Sequence, residues 1–103
     1  MRIAEVIGTV TLSRCHPLIK GYRWIVGVPF SLQALRAGTG PDGEDLVILD
    51  ELGAGQGDRI GVSEGVEAAV PFFPIKKPLD AYNACILDAI EISQSDKEVE
   101  NER

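Results

Sequence analysis

The segment LDELGAGQGDRIGVSEG, residues 49–65, places an apolar run directly before a glycine-rich loop. Gly53, Gly55 and Gly57 occupy alternate positions, and residues 58–63 resume the alternation of apolar and polar side chains that is typical of a strand. A dinucleotide-binding fingerprint needs G-x-G-x-x-G followed by a helix, and a P-loop needs Gly-Lys-Ser/Thr; neither pattern is present. The glycines therefore predict a tight strand-to-strand loop, because residues without side chains permit close backbone approach.

Three other segments show patterns that are typical of strands. Residues 3–12 and 22–30 alternate and are rich in β-branched or aromatic side chains, which favour strands over helices. Residues 46–52 begin with apolar side chains on both faces, as in a central, buried strand. One face of the first strand carries Ala4, Val6, Gly8, Val10 and Leu12. We expect the core to contain the face of the second strand that carries Tyr22, Trp24, Val26, Val28 and Phe30, and we expect Ile60 and Val62 to point inward.

The second half of the chain loses this alternation. Residues 64–78 contain three prolines, which predicts a loop or a short helix followed by an extended segment. Phe72 and Phe73 lie in this segment, where they would cover the end of a barrel or contact an adjacent subunit. Residues 79–90 place apolar side chains near helical spacing and predict a short helix, although the end of the segment would equally suit a last strand.

Five short strands and one short helix indicate a mainly β protein, a small, partly closed barrel of which the oligonucleotide-binding (OB) fold is the commonest form. A chain of 103 residues has room for one domain. We assign residues 1–92 to the barrel and residues 93–103, SQSDKEVENER, to an acidic, flexible tail. The hydrophobic fraction of 45% is high for a small domain, which indicates that subunits bury part of the apolar surface together.

Charge and hydropathy exclude several classes of partner. The net charge of −6 repels phosphate backbones, so we expect no nucleic-acid partner. Apolar runs fall far short of a membrane span, and Glu5 interrupts the apolar start, so we expect neither a membrane partner nor a secretory signal. The alternative on the same barrel is a single-stranded nucleic-acid or ligand-binding module, which would need exposed aromatic and basic side chains for stacking and charge.

The sequence offers no catalytic or metal-binding set. His16, the only histidine, and its neighbour Cys15 would point to opposite faces of a strand, as would Asp50 and Glu51. Carboxylates at the end of a strand are usually solvated or act as caps. One histidine with two distant cysteines, Cys15 and Cys85, is too little for a metal site. We therefore expect no cofactor, no metal and no catalysis, with a small-molecule enzyme as a minor alternative.

Three segments carry a family pattern when they are taken together: RIAEVIGTVTLSRCHPLIKG with Trp24, DELGAGQGDRIGVSEG, and KPLDAYNACILDAIEI. The second contains G-A-G-x-G-[DE] followed by V-x-S-x-G, and the third begins with [KR]-P-[VL]-D-A. Over about residues 1–92, the chain thereby resembles the EutN/CcmL family, the pentamer-forming vertex proteins of bacterial microcompartments such as carboxysomes and metabolosomes.

This resemblance implies an OB-type barrel assembled as a cyclic homopentamer, which closes the corners of a polyhedral shell in the cytoplasm. The implied partners are other copies of the chain and the hexameric and trimeric proteins that tile such a shell. The resemblance also implies that subunit contacts or an axial pore involve the following residues: Gly53, Ala54, Gly55, Gln56 and Gly57, and then Gly65, Pro78 and Asp80.

Overall fold

A computed structural model describes residues 1–93 and shows a closed, five-stranded β-barrel in the order β1-β2-β3-β5-β4. The strands are β1 (Arg2–Val10), β2 (Arg23–Pro29), β3 (Leu46–Asp50), β4 (Arg59–Glu64) and β5 (Ala81–Ile86). One α-helix, α1 (Leu32–Ala37), and two 3₁₀ helices, Pro17–Ile19 and Gly65–Phe72, complete the elements. The mainly β barrel with one short helix is confirmed, whereas the acidic tail lies outside the described residues beyond Ser93.

The strands are antiparallel except at the contact between β3 and β5, which is parallel. Among the residues described, Leu49 opposite Tyr82 is the only paired position at this β3–β5 seam. If paired residues are followed from strand to strand round the barrel, starting at Val10 at the end of β1, the path returns to β1 at Arg2, near its start. This offset along β1 means that the strands are strongly tilted relative to the barrel axis. The partners along this path are Trp24, Leu49, Tyr82, Ser63 and Val62.

The barrel interior is filled by side chains of small and medium size. Its central cluster consists of Ala4, Val6, Ile25, Ile48, Ala54, Ile60, Val62 and Ala81. The inward positions predicted for β4 are therefore correct, and the shared face of β1 points inward at Ala4 and Val6. A bulge after Val6 shifts the register, and Leu12 at the end of the predicted alternation lies beyond β1 and is exposed.

The face predicted for β2 is correct for Trp24 and Phe30, which are buried, but the opposite face of the strand supplies the central cluster. The interior positions of this strand are Ile25, Gly27 and Pro29, whereas Val26 and Val28 are only half-buried. A Cβ atom at Gly27 would lie 2.7 Å from the Ile48 Cδ1 atom, so the interior leaves no space for a side chain there. The aromatic residues of β2 led to the prediction, and Trp24 and Phe30 are buried outside the central cluster.

The short helix also lies elsewhere than predicted. Residues 81–86 form β5, and the α-helix is α1, which no apolar periodicity in the sequence indicates. Its signals are local: the Ser31 hydroxyl accepts a hydrogen bond from the Ala34 amide at 3.0 Å, and Gly38 ends the helix with a φ of 69°. The second 3₁₀ helix, Gly65–Phe72, fits the short helix expected within residues 64–78. On β3, Val47 is 45% exposed, so that strand is not buried on both faces as expected.

Candidate functional site

The glycine loop between β3 and β4 contains two kinds of glycine. Gly53 and Gly57 have φ angles of 81° and 89°, in the left-handed region that favours glycine. Gly55 does not, and a Cβ atom at that position would meet only the Asp58 Oδ2 atom, at an ordinary 3.8 Å. Two of the three glycines therefore turn the chain, while the third leaves the loop surface bare without being needed for the turn.

Hydrogen bonds fix this loop on itself and on β1. The Gly55 amide donates to Asp58 Oδ2 at 2.7 Å, and the Asp58 amide donates to the Gly55 carbonyl at 3.0 Å. The Gly57 amide donates to the Val6 carbonyl at 2.8 Å, and the Val6 amide donates to the Asp58 carbonyl at 2.9 Å. The loop is thus an ordered extension of the sheet rather than a loose connection.

Asp50, at the end of β3, anchors the start of the loop. Its buried carboxylate accepts hydrogen bonds from the Leu52 amide at 3.0 Å, the Ala54 amide at 2.9 Å and Asn83 Nδ2 at 3.0 Å. Arg23 pairs with Asp50 and also donates to the Ala54 carbonyl at 2.6 Å. We call Arg23, Asp50 and Asn83 the Asp50 network; it joins β2, β3, β5 and the loop at the sparsely paired β3–β5 seam.

The electrostatics of this network favour the charged carboxylate. Burial alone would raise the pKa of Asp50, but the hydrogen bonds from Asn83, the Leu52 amide, Arg23 and the Ala54 amide outweigh burial and lower it. Asp50 was expected to be solvated or to act as a cap, and the structure shows a buried cap. A buried asparagine on a strand, Asn83, is the sequence signal that could have indicated the network, because a buried amide needs partners.

An aromatic cluster holds the second 3₁₀ helix against the barrel. Phe72 lies between Tyr22 and Tyr82, with ring centroids 5.6 and 5.7 Å apart in edge-to-face geometry. The Lys77 ammonium group lies 5.1 and 5.2 Å from the ring centroids of Tyr22 and Phe72. Burial and a 2.8 Å hydrogen bond to Glu51 raise the pKa of Tyr82 to about 12.

The remaining candidate residues form a second group. Gly65 has a φ of 66°, and its amide donates to the Asp80 carbonyl at 2.9 Å, which brings Gly65 and the Pro78–Asp80 turn together. This group lies after the end of β4, whereas the glycine loop lies before its start. The structure thus places the eight candidate residues in two groups at opposite ends of β4.

Four exposed apolar side chains lie in the sequence between Gly65 and Pro78. Val66 and Phe73 are 88% and 78% exposed, and Val70 and Ile75 are also exposed. We call these four residues the apolar strip; its partner was not identifiable from the sequence. Phe72 and Phe73, neighbours in sequence, thus differ: the first packs within the chain and the second points outward.

Nothing in this geometry resembles a reaction centre. His16 is exposed and its Nδ1 atom accepts a hydrogen bond from the Leu18 amide at 3.1 Å, while the thiols of Cys15 and Cys85 are both free. Within residues 1–93, no group of three or more His, Cys, Asp or Glu side chains could hold a metal ion. In the same part of the chain, no helix is long and apolar enough to cross a membrane.

A closed barrel with ordered loops at both ends of one strand and uncovered apolar side chains has the properties of a structural module that associates through its surface. The chain belongs to the EutN/CcmL family: the model of that family, described as ethanolamine utilisation protein EutN/carboxysome, matches residues 1–88. The chain is 36% identical over 94 residues to the carboxysome shell vertex protein CcmL of Thermosynechococcus vestitus, and the match covers 87% of this chain and 86% of that protein.

Solved structures agree with this assignment. The GrpN pentameric microcompartment shell protein from Rhodospirillum rubrum superposes with a TM-score of 0.76 at 28% identity, covering 90% of this chain and 100% of that one. The ethanolamine utilization protein EutN from Escherichia coli shares the fold, with a TM-score of 0.75 at 22% identity, over 91% of this chain and 92% of that one. The family comprises structural shell proteins, which are not enzymes. This supports the prediction of a structural shell protein without catalytic activity, and it does not support the alternative of a nucleic-acid-binding module.

Proposed function

We propose that five copies of this chain form a closed ring that occupies a vertex of a polyhedral microcompartment shell in the cytoplasm. The observation that carries this proposal is the family match over residues 1–88, together with 36% identity to a carboxysome shell vertex protein. The pentameric description of GrpN, at 28% identity, supports five as the number of copies. The chain would be a structural component of the shell and would catalyse no reaction.

A ring of this kind needs two different, complementary patches on each copy, because each subunit contacts its neighbours head to tail. The two groups of candidate residues supply ordered surfaces with few bulky side chains. One is the glycine loop at residues 53–57, and the other is Gly65 with Pro78 and Asp80. The apolar strip provides a surface that loses contact with water when a neighbour covers it. We place the subunit contacts on these surfaces, with the glycine loop closest to the ring axis.

We further propose that the outer rim of the ring contacts hexameric and trimeric shell proteins. A vertex must meet the flat facets on every side, so its rim would pack against proteins of a different symmetry. Mixing the purified chain with a hexameric shell protein of its own source and measuring co-sedimentation tests this step separately from ring formation.

The mass of the purified chain in solution tests the ring itself. Light scattering on a size-exclusion column should give ~55 kDa, which is five times the 11.1 kDa of one chain. The mass should not change across a tenfold dilution, because a closed ring buries every one of its contacts. A monomer or a dimer at all concentrations would contradict the proposal.

A further inference from the structure

The outward face of β1, β2 and β3 carries apolar side chains where a water-exposed sheet usually carries polar ones. Paired residues point to the same side of a sheet, and the pair of Ile25 and Ile48 fills the barrel interior, so the adjacent pair of Val26 and Val47 points outward. Gly8 of β1 pairs with Val26 and continues this row. We call the outward residues that keep some exposure the valine face, which consists of Gly8, Val10, Val26, Val28 and Val47.

The valine face has the composition of a sheet that is covered on both sides. Neither of its two central rows contains a charged side chain; the rows are Gly8, Val26 and Val47, and then Val10, Trp24 and Leu49. The sequence predicts that β3 is buried on both faces, and the single chain does not meet this expectation, because Val47 is 45% exposed. A second molecule that covers the valine face would meet it, since exposed apolar patches mark sites of association.

Gly8 leaves a depression in the valine face. A Cβ atom at Gly8 would meet no atom within 4 Å, and the φ angle of Gly8 is not in the left-handed region, so nothing inside the chain requires a glycine there. On a sheet surface, an aromatic ring packs well over a glycine, because the ring covers the backbone that the missing side chain leaves bare. The depression therefore suits a projecting aromatic ring.

The apolar strip supplies such a ring. Phe73, at the end of the second 3₁₀ helix, is 78% exposed. Phe73 and Val47 are both exposed in the single chain, so they do not cover each other, and a contact between the two surfaces must join different copies. A contact between unlike surfaces of identical chains is head to tail and can close into a ring, whereas a surface that met its own equivalent would give a twofold dimer.

We propose that the apolar strip of each copy packs on the valine face of the next copy, with the ring of Phe73 over Gly8. This inference rests on the proposed ring and identifies the two surfaces that meet in it. None of the residues on either surface is charged, so the contact removes apolar surface from water without burying an unpaired charge.

Cross-linking of the full-length chain tests which surfaces meet. Cys15→Ser with Cys85→Ser first removes both native thiols. One variant then carries Val47→Cys on the valine face and another carries Ile75→Cys on the apolar strip, so that Gly8 and Phe73 both stay in place. Co-expressed with a size tag on one of them and treated with a short bis-maleimide, the two variants should give linked pairs that contain one chain of each kind. Either variant expressed alone should give no linked pairs.

A buried charge provides a second, independent measurement. Val47→Glu places a carboxylate in the proposed contact, and we expect the concentration below which the scattering mass falls under that of a pentamer to rise about tenfold or more. Leu32→Glu is the matched control, because Leu32 is a 53% exposed apolar residue on α1, outside both surfaces, and its replacement should leave that concentration unchanged. Circular dichroism should show the barrel intact in both variants.

The outcomes separate this contact from the ring itself. If the parent chain is a pentamer but no mixed pairs form, or if either cysteine variant links to itself, the inference is overturned and the ring stands. The same holds if Val47→Glu and Leu32→Glu have equal effects on the mass. If the parent chain is a monomer at all concentrations, both the ring and this contact are contradicted.

Discussion

At the β3–β5 seam, the Asp50 carboxylate joins the strands through side-chain hydrogen bonds where backbone pairing is sparse. Leu49 opposite Tyr82 is the sole paired position there within residues 1–93, whereas Asp50 accepts hydrogen bonds from both β2 and β5 and from two amides of the glycine loop. Because the carboxylate is buried, the Asn83 and Ala54 donors would lose their partner if the acceptor were removed, whereas the half-exposed Arg23 would keep water and the Ala54 carbonyl as acceptors.

The substitution Asp50→Asn tests this role through its pH dependence. The variant removes the charge that faces Arg23 and turns one of the two buried acceptor atoms into a donor, so we expect it to lower the free energy of unfolding by about 2 kcal/mol at pH 7. The pKa of Asp50 is lower in the folded chain than its ordinary value of 3.8, so its stabilisation is present above that value and disappears as the pH falls through the folded pKa. Urea unfolding at fixed protein concentration should therefore show the difference from the parent shrinking below about pH 4.

The exposed acid Asp88, changed to Asn, gives the control for that measurement. Its removal should leave the stability close to that of the parent at every pH, because the side chain is exposed and lies outside the Asp50 network. A loss for Asp50→Asn that stayed constant down to pH 2 would show that the effect comes from packing and not from the charge.

Strands with clear alternation could be predicted from the sequence, and elements defined by polar or small residues could not. β4 was located correctly because Ile60 and Val62 are its inward apolar residues. β5 was mistaken for a helix because its inward position 83 is a buried asparagine, whose partner Asp50 is distant in sequence. α1 was missed because a helix of six residues is too short for apolar periodicity, although its caps were visible.

Phe72 and Phe73, at the end of the second 3₁₀ helix, have different expected roles: the first packs within the chain, and the second contributes to association between copies. Phe72→Ala removes a ring that contacts Tyr22 and Tyr82, and should lower the free energy of unfolding by about 2 kcal/mol, less than for a fully buried ring. Phe73→Ala removes a side chain that is 78% exposed and should weaken association of copies instead. Thermal unfolding measures the first effect, and the dilution at which the scattering mass falls measures the second. Equal losses of stability and equal masses in the two variants would contradict this division.

The candidate contact residues could be named from the family pattern, but their two-group arrangement could not. Gly53 and Gly57 are required by their backbone conformation, and Gly65 by its turn, whereas Gly55 has no such requirement inside the chain. The Asp50 network and the bonds to Val6 order the loop before any neighbour arrives. A loop that is ordered in advance loses less conformational entropy on association, which favours a closed ring over looser assemblies.

The substitution Gly55→Val tests the ring at this point. Within one chain, a Cβ atom at residue 55 meets only an ordinary contact with Asp58, so the barrel should keep its fold. In the ring, a branched side chain would stand where neighbouring loops approach one another, and we expect the scattering mass to fall below that of a pentamer. Gly40→Val is the matched control: it places the same side chain in open space on a different loop, also without a left-handed φ, and should leave the ring intact. If the pentamer persists unchanged in Gly55→Val, the glycine loop does not form the subunit contacts, and the apolar strip must form them instead.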